Sequence, residues 1–126
     1  MTNWTEDELA TIASTDELRL ASRRADGSLR PYVIIWAVRS GGDVYVRSAY
    51  GPGNGWYRRA LASGTGRVKV GGVERDVTFE AVDTDGQGDI DAAYHAKYDR
   101  FGPAIVGTVV GDDAAKVTIR LLPQAV

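Results

Sequence analysis

The 126-residue chain contains no cysteine. Disulfides, thiolate metal sites, iron–sulfur ligation and a cysteine nucleophile are thereby excluded. It holds one histidine, His95, so zinc centres built on two or three histidines are impossible, and any Ser-His-Asp triad would have to use that residue. Neither sign of charge is in excess: 15 basic residues stand against 17 acidic ones, a formal charge of -2, which makes no electrostatic case for a nucleic-acid partner. No apolar run approaches the roughly 20 residues of a membrane helix. The acidic opening from Met1 to Glu8 lacks the basic-then-apolar layout of a signal peptide. The expectation is a cytoplasmic protein with no membrane partner. Its serines form no G-x-S-x-G elbow, and its glycines form neither a P-loop nor a Rossmann fingerprint. What remains is carboxylate chemistry, a hard-metal site, a bound organic cofactor, or no catalysis.

Fifteen glycines against four prolines supply many tight turns and suit a domain rich in β-hairpins. Thr5 and Glu8 form a capping-box pattern, and Leu9, Ile12 and Ala13 give the helix that follows one apolar face. From Glu17 the period changes to two, and a strand is expected to run to Arg24, with a turn at 25–28. Tyr32 to Val38 is apolar on both faces, the pattern of a strand covered on both sides. A turn at 40–43 leads to a strand over 44–48, then a glycine-rich loop, then a short helix over 56–62 that Gly64 and Gly66 stop. Strands are expected at 67–70, at 73–82 and from Lys116 to Leu122, and a helix from Ile90 to Tyr98. Residues 102–110 fit either strand or helix. One domain is expected over 1–126, mainly β with short helices, its five or six antiparallel strands making a small closed or half-closed barrel.

The strongest local signal is the run from Val46 to Arg59, where a strand ends, a glycine loop turns and a helix begins. Backbone N–H groups in such a loop and at such a helix start cradle anions. Arg47, Ser48, Gly51, Asn54, Gly55 and Arg58 are the residues expected to hold a phosphate there, with Arg59 adding charge. Tyr50, Trp56 and Tyr57 offer ring faces to an aromatic system. The same residues also read as a tight turn with core aromatics and solvated arginines. A second basic cluster, Arg23-Arg24 with Arg30, could meet that loop on one rim of a barrel, as a polyanionic ligand would require, or could be an ordinary charged hairpin. Asp91, His95 and Asp99 share a helix stripe, which fits proton transfer, weak metal ligation or a solvated face.

The ordered set Trp36-x-Val38-Arg39, Val44-Tyr45-Val46-Arg47-Ser48, the glycine loop into Trp56-Tyr57-Arg58, and Ala93-Tyr94-x-Ala96-Lys97-Tyr98 resembles the bacterial family called domain of unknown function 2255. The resemblance spans Trp4 to Pro123. That family in turn resembles the FMN-binding split barrels, the group of pyridoxamine phosphate oxidases and deazaflavin-dependent nitroreductases. The deazaflavin branch carries G-R-K-S-G, then S-K-G-G, then P-x-W-Y-x-N-L. Ser22-Arg23-Arg24 with Gly27, Ser48-Ala49-Tyr50-Gly51 and Trp56-Tyr57-Arg58-Arg59-Ala60-Leu61 stand at those places. Ala49 replaces the motif lysine and Arg59 its asparagine.

The resemblance implies an antiparallel split β-barrel that binds FMN or deazaflavin coenzyme F-420, with Arg23, Arg24 and Trp36 joining the loop residues around the cofactor. It also implies a homodimer with the cofactor between subunits, and the doubly apolar strand 32–38 points the same way through an interface. The competing explanation is that the N-terminal helix, with Leu9 and Ile12, covers the outer face of that strand within one chain. The expected activity is oxidoreduction of a small organic substrate, with Tyr50 or Tyr57 as proton donor. The alternatives are a non-catalytic ligand-binding module and a cofactor-free isomerase or lyase using the barrel pocket.

Overall fold

The computed structural model describes residues 3–124. Thr5 caps helix α1 (Glu6–Ser14) with its side chain on the Glu8 amide, and Glu8 returns the bond to the Thr5 amide. Strands β1 (Glu17–Ser22), β2 (Val33–Ser40) and β3 (Asp43–Arg47) follow, then helix α2 (Gly55–Ser63), strands β4 (Thr65–Val70) and β5 (Val73–Ala81), and helix α3 (Gly88–Tyr98). A 3-10 turn at Asp99–Phe101 and two one-turn helices, α4 (Pro103–Val106) and α5 (Asp112–Ala115), precede β6 (Thr118–Pro123). Every pairing is antiparallel, and the order β1-β2-β3-β6-β5-β4 closes on itself through β1 and β4.

Alternation along the strands fills the barrel. Leu18, Leu20, Val44, Val46, Val68, Val77, Ile119 and Leu121 point inward and are all but fully buried. Trp4, Leu9 and Ile12 close one part of this interior, and Tyr57 and Ala60 of α2 another. Gly66 does not stop α2 as its position after the helix suggests. Gly64, with φ 76°, performs that role, while Gly66 lies inside β4, where a Cβ would come 2.1 Å from the Ala21 carbonyl oxygen and 2.7 Å from the Phe79 ring. Close approach of two strands demands glycine there.

The outer face of β2 has a cover that the sequence pattern did not reveal. Val38 and Tyr45 form a second apolar cluster with Ile90, Tyr94 and Tyr98 of α3 and with Val106 and Val109, and Trp36 packs against it. Trp36 stacks on Tyr98 at 4.0 Å between centroids, with 6° between planes. The double-sided apolar pattern of this strand is thus answered largely within the chain, by α3, and Ile34 alone of those residues remains mostly exposed. Polar bonds fix α3 in place. The Lys97 ammonium donates to the carbonyls of Ile12 (2.7 Å) and Ala37 (2.6 Å), and the Tyr98 hydroxyl donates to the Asp16 carbonyl at 2.6 Å.

Two boundaries differ from the periodicity. β1 stops at Ser22 because Arg23 and Arg24 already turn back, Arg23 bridging to Leu29 and the Arg24 amide bonding the Ser28 carbonyl. The undecided segment 102–110 opens with α4, which begins at Pro103, where a missing N–H costs nothing.

Candidate functional site

The loop between β3 and α2 is tied by its own side chains. The Ser48 hydroxyl is buried and donates to the Gly51 carbonyl. The Asn54 amide donates to Ser48 Oγ at 3.1 Å and to the Ala49 carbonyl. Asn54 stands at the N-cap of α2 yet makes no capping bond with its side chain, and the first turn holds no acidic residue. The amide end of this nine-residue helix is therefore left with its partial positive charge uncompensated by the chain. Over it lies Arg59: a Cβ on Gly55 would meet the Arg59 Nη1 at 2.7 Å, so the guanidinium occupies the space that glycine leaves.

Arg59 belongs to a groove of about 510 Å³ lined by Arg23, Arg24, Arg30 and Arg59, with Gly27, Ser63 and Thr65. No carboxylate lines it. Arg23 is anchored from behind, on the Gly27 carbonyl (2.8 Å) and on Asp76 (3.0 Å). The Arg67 hydrogen bond, with Arg23 beyond it, holds the Asp76 carboxyl below the usual carboxylate range. Arg24 is held by neutral groups, Ser28 Oγ and the Leu29 carbonyl. Arg30 and Arg59 have no ion-pair or side-chain hydrogen-bond partner among the described residues. Four guanidinium groups held together without counter-charge in the wall make a site for an anion.

A separate cavity of about 760 Å³ is lined by Ser48, Tyr50, Gly51, Pro52 and Tyr57 and by the segment 107–117, including Thr108, Val110 and Lys116. Its size is that of a small-molecule pocket. Burial raises the Tyr57 phenol above its ordinary value and keeps it protonated. Tyr50 is the contrary case, with 84% of its surface exposed.

Several residues expected at the site stand elsewhere. Arg47 is corrected from a phosphate contact to a buried brace. Its side chain is wholly inaccessible and donates to Thr118 Oγ1 (2.9 Å), Gln87 Oε1 (2.8 Å), the Val109 carbonyl (2.8 Å) and Asp91. Sealed from solvent, the guanidinium does not face a ligand there. Trp36 lines a different groove, with Phe101, Arg19 and Gly71 to Glu74, and shares no wall with the loop. Arg58 is exposed but lines neither the arginine groove nor the cavity, whereas its neighbour Arg59 lines the groove. Trp56 is half-buried against the core. The stripe on α3 is divided: Asp91 turns inward to Arg47, while His95 Nδ1 and Asp99 pair at 2.8 Å on the surface.

Arg59 and Arg30 were in view in the sequence but could not be ranked above Arg47. The discriminating signal is helical spacing, since Arg59 is four residues beyond Gly55 and so returns over the first turn. Strand alternation does not separate Arg47 from its neighbours, because every residue from Val44 to Ser48 is buried and the strand has no solvent face.

A closed six-stranded antiparallel barrel with a helix at the loop after its third strand defines the split-barrel class. Solved structures of that fold align along nearly the whole chain. The heme storage protein HutZ of Vibrio cholerae is 16% identical, over 96% of this chain and 91% of that one, at a TM-score of 0.64. An F-420 reductase is 20% identical over 97% of both chains, at 0.61. A FAD-binding protein of Mesorhizobium loti is 20% identical over 98% and 93%, at 0.55. The chain itself belongs to the bacterial family domain of unknown function 2255, described as an uncharacterized protein conserved in bacteria, whose pattern matches residues 8–121. No curated protein matches it in sequence. Among the described residues, no helix is long and apolar enough to cross a membrane.

Proposed function

We propose that this protein binds a phosphorylated flavin-type cofactor, FMN or deazaflavin coenzyme F-420, and serves as an oxidoreductase for a small organic substrate. The observation that carries the reading is the arginine groove between the β1–β2 turn and the later half of α2. Arg23, Arg24, Arg30 and Arg59 line it without a carboxylate, and the donor set suits a phosphate ester better than any neutral group. Glycine at 55 lets the Arg59 guanidinium lie over the first turn, where backbone amides add to its charge. A separate cavity, lined by Tyr57 and the segment 107–117, supplies volume for a substrate.

When bound, such a cofactor supplies the hydride or electron transfer that the side chains of this cysteine-free chain do not. The chain's own contribution is to hold the phosphate, exclude water at the cavity wall and keep the Tyr57 phenol protonated for donation to a reduced substrate. The fold supports the reading, since solved proteins that share it include an F-420 reductase and a FAD-binding protein. Exposed Ile34 and Phe101, on the β2 side of the barrel, support assembly as a homodimer.

The test is Arg59→Ala titrated with FMN, F-420 and riboflavin. Loss of one charge-assisted contact should weaken the two phosphorylated ligands by about tenfold or more and leave riboflavin unaffected. Equal effects on all three would contradict the phosphate assignment.

A further inference from the structure

We infer that Tyr50 is a ring platform, held out on a strained turn so that the planar ring of an aromatic ligand stacks on it at the cavity mouth. The backbone at Tyr50 has φ 65°, and among the described residues no other residue except glycine takes a positive φ. It sits at the third position of the turn closed by the Gly51 amide on the Ser48 carbonyl at 3.3 Å. The bonds from Asn54 to Ser48 and Ala49 hold that turn shut, so the conformation is imposed by the loop. Glycine or asparagine takes this position without strain, and a tyrosine does not.

The ring gains nothing from the fold in exchange. Of the exposed large apolar side chains, Ile34, Leu61, Phe101 and Ile105 are between 40% and 55% exposed, against 84% for Tyr50. A single exposed aromatic calls for no explanation, but an exposed aromatic on a strained backbone opposes stability twice. Strain that persists without local benefit marks a residue kept for its contacts with something else. The cavity at its side holds Tyr57, Val110 and Val117 and about 760 Å³ of space, the scale of a small ligand and far below that of a protein partner. Aromatic faces prefer offset stacking on other rings, which fixes the ligand class as a flat, conjugated ring system.

This inference rests on the proposed cofactor reading and goes further, because it assigns the ring of Tyr50, rather than its hydroxyl, to the ligand. Three forms of the protein test it by fluorescence titration with FMN and riboflavin together with thermal melts. Tyr50→Asn should melt at the same temperature as the parent or slightly higher, since asparagine tolerates the left-handed backbone. It should bind FMN and riboflavin each about tenfold more weakly, the worth of one stacked ring. Tyr50→Phe should bind both as the parent does. Undiminished binding by Tyr50→Asn, or a melting temperature several degrees lower, overturns the platform while leaving the phosphate groove intact. Binding restored by no phenylalanine variant returns the role to the hydroxyl and also overturns it. A parent protein that binds neither of these ligands nor F-420 overturns both this inference and the reading beneath it.

Discussion

Lys97→Met isolates the cost of a buried cation. In the folded protein the Lys97 ammonium lies between α1, β2 and α3, and burial, only partly offset by Asp16, pushes its pKa down from 10.5 to about 8. Arg100, itself paired with Asp16, adds to the depression. In the unfolded chain the lysine keeps its ordinary value. Below pH 8 both states carry the proton and the folded protein bears the full cost of the buried charge. Between pH 8 and 10.5 the unfolded state binds more protons than the folded state, so stability rises with pH. The interval between 10.5 and about 8 corresponds to about 3 kcal/mol, which solvent screening at a half-buried site reduces to about 2 kcal/mol. The neutral amine keeps two N–H donors for the Ile12 and Ala37 carbonyls, so deprotonation need not release α3. Above pH 10 the trend reverses, because burial raises the phenols of Tyr94 and Tyr98 and the unfolded chain ionises first. Urea unfolding at intervals from pH 7 to pH 10 should therefore show the parent gaining about 2 kcal/mol relative to Lys97→Met across pH 8 to 10. At pH 7 the variant should lie within about 1 kcal/mol of the parent, its two lost hydrogen bonds offset by relief of the buried charge. Parallel curves for the two proteins would refute this account of Lys97.

Three further outcomes follow from the packing. Arg47→Met removes the guanidinium that donates to Asp91, Gln87 and the Val109 carbonyl, and should cost about 3 kcal/mol in chemical denaturation while leaving the ratio of FMN to riboflavin affinity unchanged. A collapse of that ratio would restore Arg47 to the phosphate site. Gly66→Ala forces a methyl group against the Ala21 carbonyl and should destabilise by about 3 kcal/mol, visible as a lowered melting temperature; a neutral result would contradict the close strand approach. Light scattering at micromolar concentration should give twice the chain mass of 13.6 kDa, and Ile34→Asp should shift it toward the single-chain value; a parent mass of 13.6 kDa contradicts the dimer.

What was legible in the sequence was whatever depends on neighbours along the chain. The Thr5–Glu8 capping box, the period-two strands and the helix after the glycine loop all follow from local spacing, and the structure contains them. The two-sided apolar pattern of β2 was equally plain, but its cause was not. A periodicity states that a face is covered and is silent on the cover, here α3, which arrives about 60 residues later through Trp36 on Tyr98. The arginines were legible in the sequence, but which of them share one groove was not. Arg47 and Arg59 are the same residue type at either end of one loop, and only the closed barrel turns the first inward to Thr118 and Gln87 while leaving the second over Gly55. The role of Gly66 was hidden for the same reason, since its crowding comes from Ala21 and Phe79, both distant in sequence.

The central claim is that the arginine groove between the β1–β2 turn and α2 holds the phosphate of a flavin-type cofactor. Parallel fluorescence titrations of the parent protein with FMN, F-420 and riboflavin test it most directly. The account predicts saturable binding in which at least one phosphorylated ligand is held about tenfold or more tightly than riboflavin, with the difference shrinking as salt is raised. Absence of binding by all three, or equal affinity for FMN, F-420 and riboflavin at low salt, would contradict it.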